Sequence, residues 1–359
     1  MSISIIVGTR PEIIKMSSII HECKKLNVDY FILHTGQHYS YNMDRIFFEQ
    51  LELPQPKYNL DVGSGSHAEQ TGKILIGLEK ILLKHKVDIV LVEGDTNTVL
   101  AGALAATKLH IKVGHVEAGL RSRYVTMPEE INRILTDHCS DILFAPTETS
   151  KQNLLKENIQ EDKIFVTGNT IVDVIFQNQK LANKKKYILK ELGLKSGEYF
   201  LVTVHREENS DNKKHFDGIL EGLKRINEQY NIPVVYPIHP RAWKKMQEFN
   251  LSSNGIQLIE PIDFFSFLQL EKNARVVLSD SGGVQEETCI LGVPCVTLRD
   301  NTERPETLDV GSNILAGTSP QQIVDCVSLM YKKNKVWKNP FGTGKTGEKI
   351  IQILGKVLG

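Results

Sequence analysis

Val7-Gly8-Thr9-Arg10-Pro11-Glu12 is the first place in the chain where residue types and spacing suit chemistry. An apolar run stops at Gly8, which lets the backbone approach a ligand, and Pro11 suits the first turn of a helix whose N-terminus favours an anion. Arg10 adds a full positive charge at that point. An ordinary strand-to-helix turn with a surface arginine is the plain alternative.

Glu93-Gly94-Asp95-Thr96-Asn97, His115-Val116-Glu117-Ala118-Gly119-Leu120-Arg121 and Pro128-Glu129-Glu130-Ile131-Asn132-Arg133 bring carboxylates to successive junctions. Carboxylates at the strand ends of a parallel sheet point into one crevice, where burial tunes them as general acids or bases. Helix capping by Asp95 and first-turn placement of Glu129 and Glu130 account for those three without catalysis. Glu117 lies in a strand-like, poorly solvated stretch that offers no such account.

In the second half, Thr203-Val204-His205-Arg206-Glu207-Glu208-Asn209 puts a histidine and an arginine directly after a strand. In Leu278-Ser279-Asp280-Ser281-Gly282-Gly283-Val284-Gln285-Glu286-Glu287, Ser281 and the two glycines would offer backbone N–H groups at a helix start to a phosphate. Glu287, about one turn in, could accept hydrogen bonds from a ribose diol. Thr302-Glu303-Arg304-Pro305-Glu306 adds a fixed cation. Two look-alikes fail: Gly342-Thr343-Gly344-Lys345-Thr346-Gly347 lacks the strand a phosphate loop requires, and the eleven histidines lack the spacing or Cys partners of a metal site.

The elements that must position these groups alternate between short β-branched runs and longer helical patterns, the signature of parallel sheets covered by helices. Strands are predicted at 3–7, 30–34, 88–92, 112–116, 142–144 and 163–166, with helices at 11–25, 42–49, 68–85, 98–109 and 129–139. The rhythm restarts with strands at 199–204, 233–236, 257–259, 275–278 and 294–297, and helices at 216–229, 243–249, 264–271, 284–290 and 320–331. The Lys-rich stretch 177–195 between the halves reads as a linker region. The fold class is therefore α/β, with two Rossmann-like doubly wound domains facing a cleft: residues 1–176 carry the carboxylates, residues 177–344 bind the nucleotide, and a helix at 345–359 packs back on the first domain.

At 359 residues the chain has room for about two domains. Its 43 Lys plus Arg against 43 Asp plus Glu leave no overall field to draw in nucleic acid or an anionic membrane. Five cysteines without close spacing read as buried free thiols in a reducing compartment. Residues 1–7 read as a strand and not a signal peptide, and no apolar stretch approaches the roughly 20 residues that span a bilayer. A soluble, cytoplasmic protein is expected.

Taken together and in this order, these runs, with Thr35-Gly36-Gln37-His38, resemble the non-hydrolysing UDP-N-acetylglucosamine 2-epimerases, of glycosyltransferase-B-like fold, over nearly the whole chain. The resemblance implies interconversion of UDP-N-acetylglucosamine and UDP-N-acetylmannosamine without metal or redox cofactor, in a homodimer. It implies catalytic roles for Asp95, Glu117, Glu129 and His205, and substrate contacts from Arg10, Lys15, Ser281, Gly282, Gly283, Glu287 and Arg304. Gln37 and His38 match the part of the motif that in bacterial members touches a second, regulatory UDP-N-acetylglucosamine, although Glu69-Gln70-Thr71 has an acid where regulated relatives commonly carry a base.

The chemistry suits such residues on its own terms. The hydrogen on sugar carbon 2 is not activated by a carbonyl, so inversion there is easiest if UDP leaves carbon 1 as a proton leaves carbon 2. Acid and base groups on both faces, and cations for the departing UDP, are then required. A hydrolysing relative, a glycosyltransferase and a non-catalytic UDP-sugar sensor remain as alternatives.

Overall fold

The computed structural model describes residues 1–37, 41–185 and 187–359, with the side chains of residues 41–43 and 180 excepted. The chain forms two compact α/β units, Met1–Gln177 with Phe341–Gly359, and Asn178–Pro340.

The first unit holds seven parallel strands: β1 (Ser2–Val7), β2 (Asp29–His34), β3 (Tyr58–Asn59), β4 (Ile89–Glu93), β5 (Lys112–Val116), β6 (Ile142–Ala145) and β7 (Ile164–Val166), in the order β3-β2-β1-β4-β5-β6-β7. Strands covered on both faces need apolar residues at nearly every position, and Ile3, Ile5, Ile6 and Val7 of β1 and Ile89 to Val92 of β4 are fully buried. Strands are added outward in opposite directions from the β1–β4 pair, so the loops leaving these two strands part to opposite faces and open a crevice at their carboxyl ends. Gly8 to Glu12 and Gly94 to Asn97 occupy that switch point. The helix Asn97–Lys108 after β4 can lie close on the sheet because its residues are small; a Cβ on Gly102 would come within 2.9 Å of Val92.

The chain returns to this unit through the helix Thr346–Leu358. Its first turn donates Gly347 N–H to Asp173 at 2.9 Å, and a Cβ at Gly347 would stand 2.8 Å from the Ser18 carbonyl oxygen, so glycine lets two helices meet backbone to backbone.

The second unit repeats the plan with β8 (Phe200–Thr203), β9 (Val234–Pro237), β10 (Gln257–Ile259), β11 (Val276–Ser279), β12 (Cys295–Thr297) and β13 (Asn313–Leu315), all parallel, in the order β10-β9-β8-β11-β12-β13. Its switch point lies between β8 and β11, whose ends are in register at Thr203 and Ser279. The loops that leave it carry His205 and Ser281.

Three expectations need correction. The stretch 177–195 is not a linker throughout: its helices Gln179–Lys184 and Tyr187–Glu191 belong to the second unit, where Ile188 and Leu194 are buried with Tyr199, Leu201 and Leu270. Its lysines mask apolar positions that face the core. Strands β3 and β13 were not predicted, because two or three residues carry no readable alternation. Of the cysteines, all unpaired, Cys23, Cys289 and Cys295 are buried but Cys139 and Cys326 are only half-buried. No described helix is long and apolar enough to cross a membrane.

Candidate active site

In the first unit the helix Arg10–Lys25 starts straight off β1, and Thr9 and Glu12 stand at the Thr-x-x-Glu spacing of a capping box. Glu12 accepts from Gly8 N–H at 2.6 Å, Thr9 Oγ1 at 3.0 Å and, across the switch point, Thr96 Oγ1 at 2.6 Å. Burial pushes its carboxyl up to about 7, against the pull of these three donors and with the charge of Asp95 adding to the rise. One turn on, Lys15 reaches two strand ends at once, pairing with Glu93 Oε1 at 3.2 Å and with Glu117 Oε2. Asn169 Nδ2 donates to the same Glu117 oxygen at 3.1 Å. Burial drives Glu93 well above the usual carboxylate range, opposed by Lys15 and reinforced by Glu117 and Glu12.

Glu117 has φ +69°, a conformation that a non-glycine residue keeps only where its surroundings hold it. The hold comes from the helix Pro128–Cys139. Asp137 accepts Gly119 N–H at 3.2 Å and pairs with Arg121 at 2.8 Å and with His115 Nδ1 at 2.7 Å, while His115 Nε2 meets the Gly94 carbonyl at 2.8 Å. One carboxylate thus braces the turn that carries Glu117 and the turn that carries Asp95. Burial works against its ionisation, but His115 and Arg121 outweigh burial and hold it below the usual range.

The same helix fixes Asp95 directly: Asn132 Nδ2 donates to its carbonyl at 2.9 Å and Arg133 lies 3.4 Å from its carboxylate. Of the adjacent acids, Glu130 is consumed by structure, accepting from Ser122 N–H at 3.0 Å and Arg123 N–H at 2.7 Å, whereas the side chain of half-buried Glu129 makes no hydrogen bond with a described residue. Arg10 lies 3.7 Å from Asp44 with its guanidinium over the Phe47 ring. Gln37 Oε1 accepts from Thr98 N–H at 2.9 Å and Thr98 Oγ1 at 2.8 Å, which anchors the helix after β4. His38 lies outside the described residues.

In the second unit Asp280 is the hub. Fully buried, it accepts the backbone N–H groups of His205 at 3.2 Å and Arg206 at 3.0 Å and the Asn209 amide at 3.1 Å, and it stands 3.1 Å from His205 Nδ1. Burial opposes its charge, yet His205 and these donors keep it below the usual range. His205 is half exposed, with Nδ1 on Asp280, which leaves Nε2 as its other ring nitrogen. Ser281 begins the helix Gly282–Leu291, and no side chain caps the N-terminus from that position. Gly282 is packed: a Cβ there would meet Arg304 at 2.6 Å and Glu303 at 2.7 Å, while at Gly283 it would find nothing closer than 3.9 Å.

Arg304 is not an open cation. It is buried, paired with Glu303 at 2.7 Å and Glu286 at 3.2 Å, and Glu303 also meets Arg299 at 3.0 Å and Arg206 at 3.3 Å. Glu287 sits half-buried one turn into the helix, and its charge adds to the burial that pushes Glu271 above the usual carboxylate range. Sequence reasoning passed over Glu12, Glu93, His115, Asp137, Asp280 and Glu271 as site residues. For Glu12 the capping-box spacing was a usable signal; for Asp137, in mid-helix, there was none. Among the described residues no group of three or more His, Cys, Asp or Glu side chains could hold a metal ion.

The switch point of the first unit, rich in carboxylates, suits acid-base work, and that of the second, with its uncapped helix start, suits an anionic group. Comparison with known proteins agrees. Residues 21–355 match the family described as UDP-N-acetylglucosamine 2-epimerase. The chain is 58% identical over 361 residues to the UDP-N-acetylglucosamine 2-epimerase of Methanocaldococcus jannaschii, covering 99% of both chains. It is 55% identical over 359 residues to that of Methanococcus maripaludis, covering 98% of both. The crystal structure of the M. jannaschii enzyme in complex with UDP-GlcNAc and UDP has a TM-score of 0.94 to this chain at 58% identity, covering 99% of this chain and 100% of that one. With the motif series, both switch points and whole-length identity in accord, the chain belongs to the UDP-N-acetylglucosamine 2-epimerase family.

Proposed function

We propose that this protein interconverts UDP-N-acetylglucosamine and UDP-N-acetylmannosamine by eliminating UDP and adding it back. A carboxylate takes the proton from sugar carbon 2 while the bond from carbon 1 to the phosphate oxygen breaks, leaving a glycal and UDP. Return of a proton to the other face of carbon 2, with the phosphate oxygen re-forming its bond to carbon 1, gives the epimer. Asp95, Glu117 and Glu129 supply acid and base, and Lys15 sets its positive charge against Glu117. In the second unit the Ser281 to Gly283 helix start and His205 Nε2 stabilise the charge that grows on the departing diphosphate, and Glu287 holds the ribose. Arg304 acts through its pairing with Glu303 and Glu286, which shapes the floor beneath Gly282.

The observation that carries this reading is the braced carboxylate set of the first unit, for which a UDP-sugar sensor has no use. A homodimer goes with the reading and is checked by sedimentation. The test of the reaction is a proton NMR time course with UDP-N-acetylglucosamine in deuterated water. UDP-N-acetylmannosamine should appear with deuterium at carbon 2 of both sugars. Epimer formed without deuterium incorporation would sink the elimination route. Free N-acetylmannosamine would make this a hydrolysing enzyme, and tight UDP binding without turnover would favour a transferase or a sensor.

A further inference from the structure

Thr9 and Thr96 are the N-cap residues of the helices that leave β1 and β4, Arg10–Lys25 and Asn97–Lys108, and neither side chain caps its own helix. An N-cap threonine ordinarily accepts the backbone N–H two or three places on. For the second helix the N–H two places on belongs to Thr98, and Gln37 Oε1 takes it at 2.9 Å. Both threonine hydroxyls turn instead to one oxygen of Glu12, Thr9 Oγ1 at 3.0 Å and Thr96 Oγ1 at 2.6 Å, while the other oxygen accepts Gly8 N–H at 2.6 Å. Two loops thus forgo local capping and converge on a single buried carboxyl.

The two turns so joined are the ones that carry Arg10, next to Thr9, and Asp95, next to Thr96. The β1 end of the tie is fixed by close packing, since a Cβ at Gly8 would meet Thr98 Oγ1 at 2.1 Å and Thr35 Oγ1 at 2.2 Å. Asp95 is held from one side by Asn132 Nδ2 on its carbonyl at 2.9 Å, and from the other, through Thr96, by Glu12. The charge of Asp95 reaches Glu12, where it adds to the effect of burial. A hydroxyl both donates and accepts, so the tie survives either state of the carboxyl: ionised, Glu12 accepts from both threonines, and protonated, it donates to one of them.

We propose that Glu12 is a positioning residue that ties the Thr9 turn to the Thr96 turn and so holds the Asp95 carboxylate in place for proton transfer at the crevice of the first unit. The inference rests on the reading of Asp95 as an acid or base and deepens it. A reacting carboxylate that loses its place costs rate, while substrate binding, spread over other groups, changes little. Valine at 96 has the shape of threonine without the hydroxyl, and serine keeps the hydroxyl. Glutamine at 12 keeps an oxygen for Gly8 N–H and an amide that donates to a threonine hydroxyl, whereas leucine keeps neither.

The experiment is steady-state kinetics with UDP-N-acetylglucosamine on the full-length protein and on Thr96→Val, Thr96→Ser, Glu12→Gln, Glu12→Leu, the double variant Glu12→Leu/Thr96→Val and Asp95→Asn, with rates referred to the folded fraction by circular dichroism. Thr96→Val should lower kcat by about 3- to 10-fold, the range for one lost hydrogen bond, with KM within about twofold, and Thr96→Ser should return kcat to within about twofold of the parent. Glu12→Gln should stay within about threefold of the parent, and Thr96→Val added to Glu12→Leu should cost less than about twofold more, because the tie is already gone. Parent kcat in Thr96→Val, an equal loss in Thr96→Ser, or losses that multiply in the double variant overturns the tie. Should Glu12→Leu fail to fold, the two Thr96 variants decide. If Asp95→Asn keeps the parent kcat, Asp95 is neither acid nor base, and that reading falls together with this inference. If Asp95→Asn is inactive while Thr96→Val matches the parent, the reading of Asp95 stands and the inference alone falls.

Discussion

Glu12 makes the chain's stability depend on pH in a way that one substitution removes. Its carboxyl is fully buried and titrates at about 7 in the folded protein against 4.5 for an ordinary glutamate. Between these values the unfolded chain has released the proton while the folded chain still holds it, so stability falls as pH rises and the loss is complete above about 7.5. Each pH unit of that gap is worth about 1.4 kcal/mol. Between pH 5 and pH 8.5 the loss is about 2.5 kcal/mol, allowing for partial ionisation at pH 5. For a unit of this size that is a fall of roughly 5–10 °C in the unfolding midpoint. Glu12→Gln keeps an oxygen for Gly8 N–H and carries no titrating proton, so its midpoint lacks this component. The assay is thermal unfolding of both proteins at half-unit steps from pH 5 to 8.5, followed by the signal of the first unit. Other titrating groups are common to both proteins and, apart from Glu93, which feels the Glu12 charge, cancel in the difference. Parallel curves for parent and variant would refute the buried-acid account of Glu12.

Three further outcomes are expected. Lys15→Met leaves Glu93 and Glu117 buried without the Lys15 cation, at a cost of about 3–5 kcal/mol near neutral pH; denaturant unfolding should recover part of this at pH 5, because Glu93, held above the usual carboxylate range, more readily takes up a proton there, and an equal loss at both pH values would refute the pairing. Asp137→Asn loosens the turns of Asp95 and Glu117 together, so kcat should drop by about 100-fold, the scale of an ångström of misplacement, with KM nearly unchanged; steady-state kinetics that show a KM effect alone would contradict the bracing role. Gly282→Ala must displace the buried Arg304–Glu303 pair and should cost about 1–3 kcal/mol of stability and weaken UDP, while Gly283→Ala, with open space at its Cβ, should leave stability unchanged to within about 0.5 kcal/mol.

What the sequence shows and what it hides follow from the range over which a residue's environment is set. The ends of β1, β4, β8 and β11 were legible because a buried parallel strand is an apolar run, and the glycine or polar residue that stops it marks the switch point by local pattern alone. Glu129 and Glu130 already lie beyond that reach: both are first-turn acids by spacing, and only the return of the Ser122 and Arg123 backbone tells them apart. The bonds that set the chemistry are longer still, 84 residues from Thr96 to Glu12, 102 from Lys15 to Glu117 and 75 from His205 to Asp280. No helical or strand period spans such a separation, so Asp137 reads as one polar residue in an amphipathic helix and Glu271 as one acid in a run of Gln, Glu and Lys. The protonation of Glu12 and Glu93 is decided by burial and by partners brought from other elements. The positions of the reactive groups are thus written locally, while their acidities exist only once the sheets have closed over them.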